Sequence, residues 1–244
     1  MTSFDAAAVL AVRRRAQAAV DTSAEPPPGW SKSTTDPNAV LGAFAPHLRL
    51  RPGCELRAYQ LVYGHGARHG AGNGLGLVWA VPRGSAWTEP HDCLEPTRGR
   101  GARPRPLGAT EPMSAVVGDG SAWSRLCASI AARELREIGA LWHGLAWTDE
   151  FVLDRPPADD DLVAKACREV LTDVEEEWTW SEDPPLDWRP RVDVTKDRVD
   201  VEFHTFSLRG RQTITRHSDT YGSDDWEPQQ STAVIATGRF GMQL

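Results

Sequence analysis

Glu202, His204, Thr215 and His217 are the residues of this chain whose types and spacing most directly suggest chemistry. They lie on two stretches that alternate as strands do, Arg198 to Leu208 and Arg211 to Ser218, joined through Arg209-Gly210. A two-residue hairpin turn at that point pairs residues whose numbers sum to 419. Glu202 then faces His217, and His204 faces Thr215. The period of two gathers all four on one face. Two imidazoles and a carboxylate (His204, His217, Glu202) are the ligand set of many zinc and iron(II) sites. The same residues would serve as an acid/base pair in which the carboxylate orients a histidine. The plainer alternative is a polar sheet face with ordinary cross-strand hydrogen bonds. Everything rests on the register, because a slip of one residue dissolves the set. No HExxH, nucleophile elbow or Ser-His-Asp order sharpens the reading.

A second candidate is Glu134. From Ser121 onward the chain carries apolar residues at helical spacing: Trp123, Cys127, Ile130, Leu135, Ile138, Leu141 and Leu145. Ser121 supplies an N-cap oxygen, Gly144 a left-handed stop, and His143 a cation for the last turn. Glu134 sits within that stripe. A carboxylate there must find an arginine or hydrogen-bond donors, or else take up a proton. It is therefore either a structural ion pair or an active-site acid.

The elements that must position these groups follow in order. An amphipathic helix is expected from about Ser3, then a Pro/Ser/Thr-rich linker, Asp21 to Asn38. Glu55 to Tyr63 and Leu75 to Val81 read as strands. The glycine-rich GHGARHGAGNG between them departs from phosphate-loop and dinucleotide patterns, and His65 and His69 would match metal spacing only on a helix. Arg98 to Pro106 holds four arginines among glycine and proline and predicts a disordered insertion near 96–112. A strand is expected within Ala146 to Leu153. Asp159-Asp160-Asp161 would cap a helix from Leu162 to Trp178, with Glu175 to Glu177 on its solvated side. The remainder reads as an antiparallel meander: Arg191 to Thr195, the hairpin above, and Ser231 to Thr237.

Composition bounds the function. The 244 residues carry a net charge of −7, and the acidity is concentrated late. Residues 1–148 have 16 Lys/Arg against 12 Asp/Glu, and the rest 11 against 22. That balance argues against nucleic acid as a partner. No apolar run is long enough to span a membrane, and four scattered cysteines fit reduced thiols in the cytoplasm. Ten tryptophans are an excess for this length. Trp123, Trp142 and Trp178 fall on helix stripes, whereas Trp180, Trp188 and Trp226 stand in polar surroundings suited to a pocket or partner surface.

The sequence thus predicts an α+β protein, a predominantly antiparallel sheet flanked by two or three helices, in one lobe or two. Residues 1–38 would form the N-terminal helix and linker, 39–155 a first α+β lobe, and 156–244 a helix followed by the meander. The expected function is small-molecule binding or catalysis in a tryptophan-lined pocket with Glu202, His204, His217 and Glu134 as polar groups. The alternative is a module that binds a protein partner through exposed tryptophan and arginine loops.

Overall fold

The computed structural model describes residues 1–21, 27–62, 74–97, 101–140 and 146–241. The helices among them are α1 (Ala6–Ala18), α2 (Pro37–Gly42), α3 (Ala122–Arg136) and α4 (Asp161–Glu169). The early strands are β1 (Thr2–Ser3), β2 (Gly29–Lys32), β3 (Leu48–Leu50), β4 (Cys54–Val62), β5 (Gly74–Pro82), β6 (Leu94–Thr97), β7 (Gly101–Pro104) and β8 (Val116–Gly118). The later ones are β9 (Glu150–Leu153), β10 (Thr179–Trp180), β11 (Arg191–Val194), β12 (Arg198–Ser207), β13 (Arg211–Gly222) and β14 (Gln229–Phe240). The class is α+β, with one large antiparallel sheet and three smaller ones. No helix among the described residues is long and apolar enough to cross a membrane.

By contacts the chain divides into two units whose limits differ from the lobes drawn on the sequence. One comprises Met1–Ala11, Gly120–Ser129 and Thr148–Leu244; the other comprises Val12–Asp119 and Ile130–Trp147.

The first unit is built on a seven-stranded sheet in the order β1-β11-β12-β13-β14-β10, with β9 lying against β12 beside β11. β11 takes the first half of β12 and β9 the second, so β12 is paired along both edges. One sheet face buries Val199, Val201 and Phe203 with His217, Asp219 and Tyr221. The other buries Phe206, Ile214 and Ala236 against Val163 and Cys167 of α4, with Trp178, Trp180 and Trp188 packed around them.

α4 starts where expected. Asp160 accepts hydrogen bonds from the Leu162 and Val163 amides at 2.9 and 3.2 Å. It stops nine residues earlier than the periodicity predicts, at Glu169, and Leu171 takes a left-handed φ of 58°. The cause is long-range. Buried Gln212 on β13 accepts from the Glu175 amide (2.9 Å) and donates to the Asp173 carbonyl (2.6 Å). The Glu175 carboxylate accepts from the Glu176, Glu177 and Arg239 amides. These bonds hold its pKa at about 2, and the Arg239 guanidinium adds to them. Glu175 is therefore a buried anchor and not part of a solvated helix face.

The second unit holds the β2-β4-β5 sheet and the β3-β8 and β6-β7 pairs. On one face of the three-stranded sheet stand Trp30, Lys32, Arg57, Tyr59, Leu77 and Trp79. Trp79 Nε1 donates to the Pro104 carbonyl at 2.7 Å and Trp30 Nε1 to the Ala102 carbonyl at 3.0 Å. Arg105 lies over the Trp79 ring at 5.1 Å, and Trp87 stacks on Tyr59 at 4.9 Å. These contacts order the described part of the arginine-rich insertion as β6 and β7, where the sequence alone suggested disorder. The opposite face carries Gly76, where an added Cβ would fall 1.7 Å from the Ile138 carbonyl oxygen. α3 accordingly ends at Arg136, and Gly139 (φ 77°) takes the left-handed turn assigned above to Gly144. Residues 64–73, with His65 and His69, and residues 141–145, with Trp142, His143 and Gly144, lie outside the described residues.

Candidate functional site

The hairpin that was to gather Glu202, His204 and His217 forms in a different register. β12 ends at Ser207 and β13 begins at Arg211, so Leu208, Arg209 and Gly210 make a three-residue connection. Opposed residues sum to 420: Glu202 faces Ser218, His204 faces Arg216, and His217 faces Phe203. One additional turn residue moves all of β13 to the other parity, which puts His217 on the face opposite Glu202 and His204. The predicted metal set is thus taken apart. Among the described residues no three His, Cys, Asp or Glu side chains are grouped to hold a metal ion.

On its own face His217 stacks against Phe203, ring centroids 4.6 Å apart and planes within 9°. Its Nε2 lies 2.8 Å from Thr205 Oγ1 and 3.2 Å from Glu150 Oε2. Both contacts fall on one nitrogen. A hydroxyl activated through histidine to a carboxylate needs them on the two different ring nitrogens. The Thr205 contact is a hydrogen bond and the Glu150 contact a close ion-pair approach, and Thr205 is itself buried at 1% exposure. The register hid Glu150 and Thr205 from the sequence reading.

The other face is more suggestive. His204 is 3% exposed, and its ring lies 5.6 Å from that of Trp188. The series continues from Trp188 to Trp180 (6.3 Å, 69°) and from Trp180 to Trp178 (6.5 Å, 53°). Trp178 then meets Phe206 edge-on at 6.2 Å. Strand order explains the assembly. β10 brings Trp180 to Ala236 on the sheet edge, and Trp188 precedes β11. Burial pushes the His204 imidazole down to a pKa of about 4, and the charges of Arg191 and Arg216 push the same way. It is therefore a neutral base at physiological pH. Its Nδ1 is buried without a hydrogen-bond partner among the described residues. Two ion pairs stand on the same face: Arg191 with Glu202 at 2.6 Å, and Arg216 with Glu182 at 2.5 Å. Each of these four side chains is about a third exposed.

Glu134 belongs to the second unit and has the arginine that its position demanded. Arg13 Nε donates to Glu134 Oε1 at 2.8 Å, and Trp147 Nε1 donates to the same oxygen at 2.9 Å. Arg13 also reaches the Trp147 carbonyl at 2.7 Å and lies 4.2 Å over its ring. This closed network is an internal brace.

Of the tryptophans singled out for a pocket or surface, Trp180 and Trp188 do line the His204 face. Trp226 is buried instead beneath Arg125, whose guanidinium lies 3.8 Å over its ring and donates to the Ser223 and Asp225 carbonyls. Arg191 and Arg216 escaped notice, because only the true register shows them flanking a histidine. No family model matches this chain, and neither do any curated protein or any solved structure.

Proposed function

We propose that this protein binds a small planar molecule on the tryptophan face of its C-terminal sheet. Trp180 and Trp188 supply ring surface, and His204 supplies a polar contact. The observation that carries the reading is the His204 imidazole, buried beside Trp188 with Nδ1 unpartnered. A buried polar atom left unbonded costs about 1–3 kcal/mol, and such a cost is commonly met where a ligand completes the bond. The buried Trp188 ring and the half-buried Trp180 ring beyond it offer the large, rigid contact area that small-molecule sites use.

The protein-partner reading needs exposed tryptophans, and none of the nine described ones is exposed. That weighs toward a small ligand. The four free cysteines fit a reducing, cytoplasmic setting.

Saturation-transfer NMR with a library of planar heteroaromatic fragments tests the proposal on the full chain. Fragments that bind should lose their signal in both Trp180→Ala and His204→Phe, with the fold of each variant checked by circular dichroism. Fragments that bind equally well to both variants would place any ligand site elsewhere and sink the reading.

A further inference from the structure

The charges around His204 say more about the ligand than the rings do. Arg191 and Arg216 approach the imidazole from the neighbouring strands, β11 on one side and β13 on the other. Each is paired with a carboxylate, Arg191 with Glu202 and Arg216 with Glu182. After burial, Arg191 and Arg216 are the next strongest influences holding the imidazole neutral, opposed by a hydrogen bond with the Trp188 backbone. A cation at this place would meet two guanidiniums. An anion would meet the same guanidiniums as donors in fork geometry, each about a third exposed and held by a partner it can exchange. A neutral imidazole nitrogen with no protein donor accepts a hydrogen bond from an O–H or N–H.

We propose that the ligand is a planar aromatic acid. Its ring packs against Trp188 and Trp180, its hydroxyl or ring N–H donates to His204 Nδ1, and its carboxylate or phosphate displaces Glu182 or Glu202 from an arginine. The inference rests on the reading of the tryptophan face as a ligand site and adds the sign and placement of the charge.

Two isosteric probes test it, 4-hydroxybenzoate and 4-hydroxybenzamide, titrated calorimetrically into the full chain at pH 7.5. Both carry the ring and the donor, and only the first carries the anion. The acid should bind about tenfold tighter than the amide, the worth of one charge-assisted hydrogen bond. Added salt should narrow that gap. Arg216→Gln and Arg191→Gln, both at partly exposed positions that the fold should tolerate, should bring the acid toward the amide's affinity and leave the amide unchanged.

If acid and amide bind equally and both are lost in Trp180→Ala, the anion assignment falls while the ring-binding face stands. If neither binds the folded wild-type protein, or if Trp180→Ala affects neither, both proposals fall together.

Discussion

Glu134 and His204 are both ionisable, both buried, and both set among apolar neighbours, yet the two units treat them in opposite ways. Around Glu134 a guanidinium and an indole N–H converge on one oxygen, and the arginine is itself held by a carbonyl and a ring. Around His204 stand the Trp188 ring and backbone and two arginines, and Nδ1 is left without a hydrogen bond among the described residues. A buried group whose bonds are closed by the protein holds the fold together. A buried group left open reduces stability and keeps a position free for something else. The contrast sorts the two candidates more firmly than residue type does.

The largest test of this contrast breaks the closed network. Glu134→Ala removes the carboxylate that Arg13 and Trp147 share in a buried ion pair and should cost about 3–5 kcal/mol in chemical denaturation. The double variant Arg13→Met/Glu134→Leu removes both charges and should recover much of that loss. If the single variant costs under about 1 kcal/mol, Glu134 is no brace, and an active-site role for it reopens.

Next comes pH. The His204 pKa is lowered from 6.5 to about 4 in the fold, so between those values the unfolded chain binds the extra proton. Stability from this group is fully present above pH 6.5 and is lost as pH falls toward 4, by up to about 3 kcal/mol. Denaturation midpoints measured across this window should show the slope in the wild type and a flatter one in His204→Phe. Glu175 adds a separate loss at lower pH, as its carboxylate protonates between about 4.5 and 2.

At neutral pH His204→Phe itself should raise stability by about 1 kcal/mol, since it keeps a ring against Trp188 and deletes the orphan nitrogen. A loss of more than that would mean His204 is bonded structurally, and the contrast with Glu134 would disappear. The smallest effect belongs to the rim. Glu202→Gln should change stability by less than about 1 kcal/mol, as exposed pairs do, while freeing Arg191 to bind 4-hydroxybenzoate a few-fold tighter. Weaker binding of the acid would show that Glu202 supports the ligand and does not compete with it.

Much of this was legible in the chain, and the rest was hidden for identifiable reasons. The apolar stripe of α3, the Asp160 cap and the misfit of Glu134 are local patterns, and local patterns survive into the structure. Strand existence was legible from alternation, and so was the antiparallel class. Register was not. Whether Arg209-Gly210 makes the turn alone or with Leu208 is decided by what Leu208 packs against, and Leu208 belongs to the core cluster under α4. The end of α4 was hidden similarly, because Gln212 acts on it from 37 positions away. The arginine-rich insertion looked disordered since its partners, Trp30 and Trp79, lie on strands well before it. The grouping of Glu202, His204 and His217 depended on register and does not form, whereas the tryptophan excess appears as a cluster of Trp178, Trp180 and Trp188.

One pairing described above sets a schedule for synthesis. β1 joins the large sheet through Thr2 opposite Val192 and Ser3 opposite Arg191. About 190 residues separate the partners, so a ribosome adding roughly 5–20 residues per second leaves β1 waiting on the order of 10–40 seconds. Most of Val12–Asp119 emerges during that interval. The large sheet thus closes only after Arg191 and Val192 have been made, long after β1 itself.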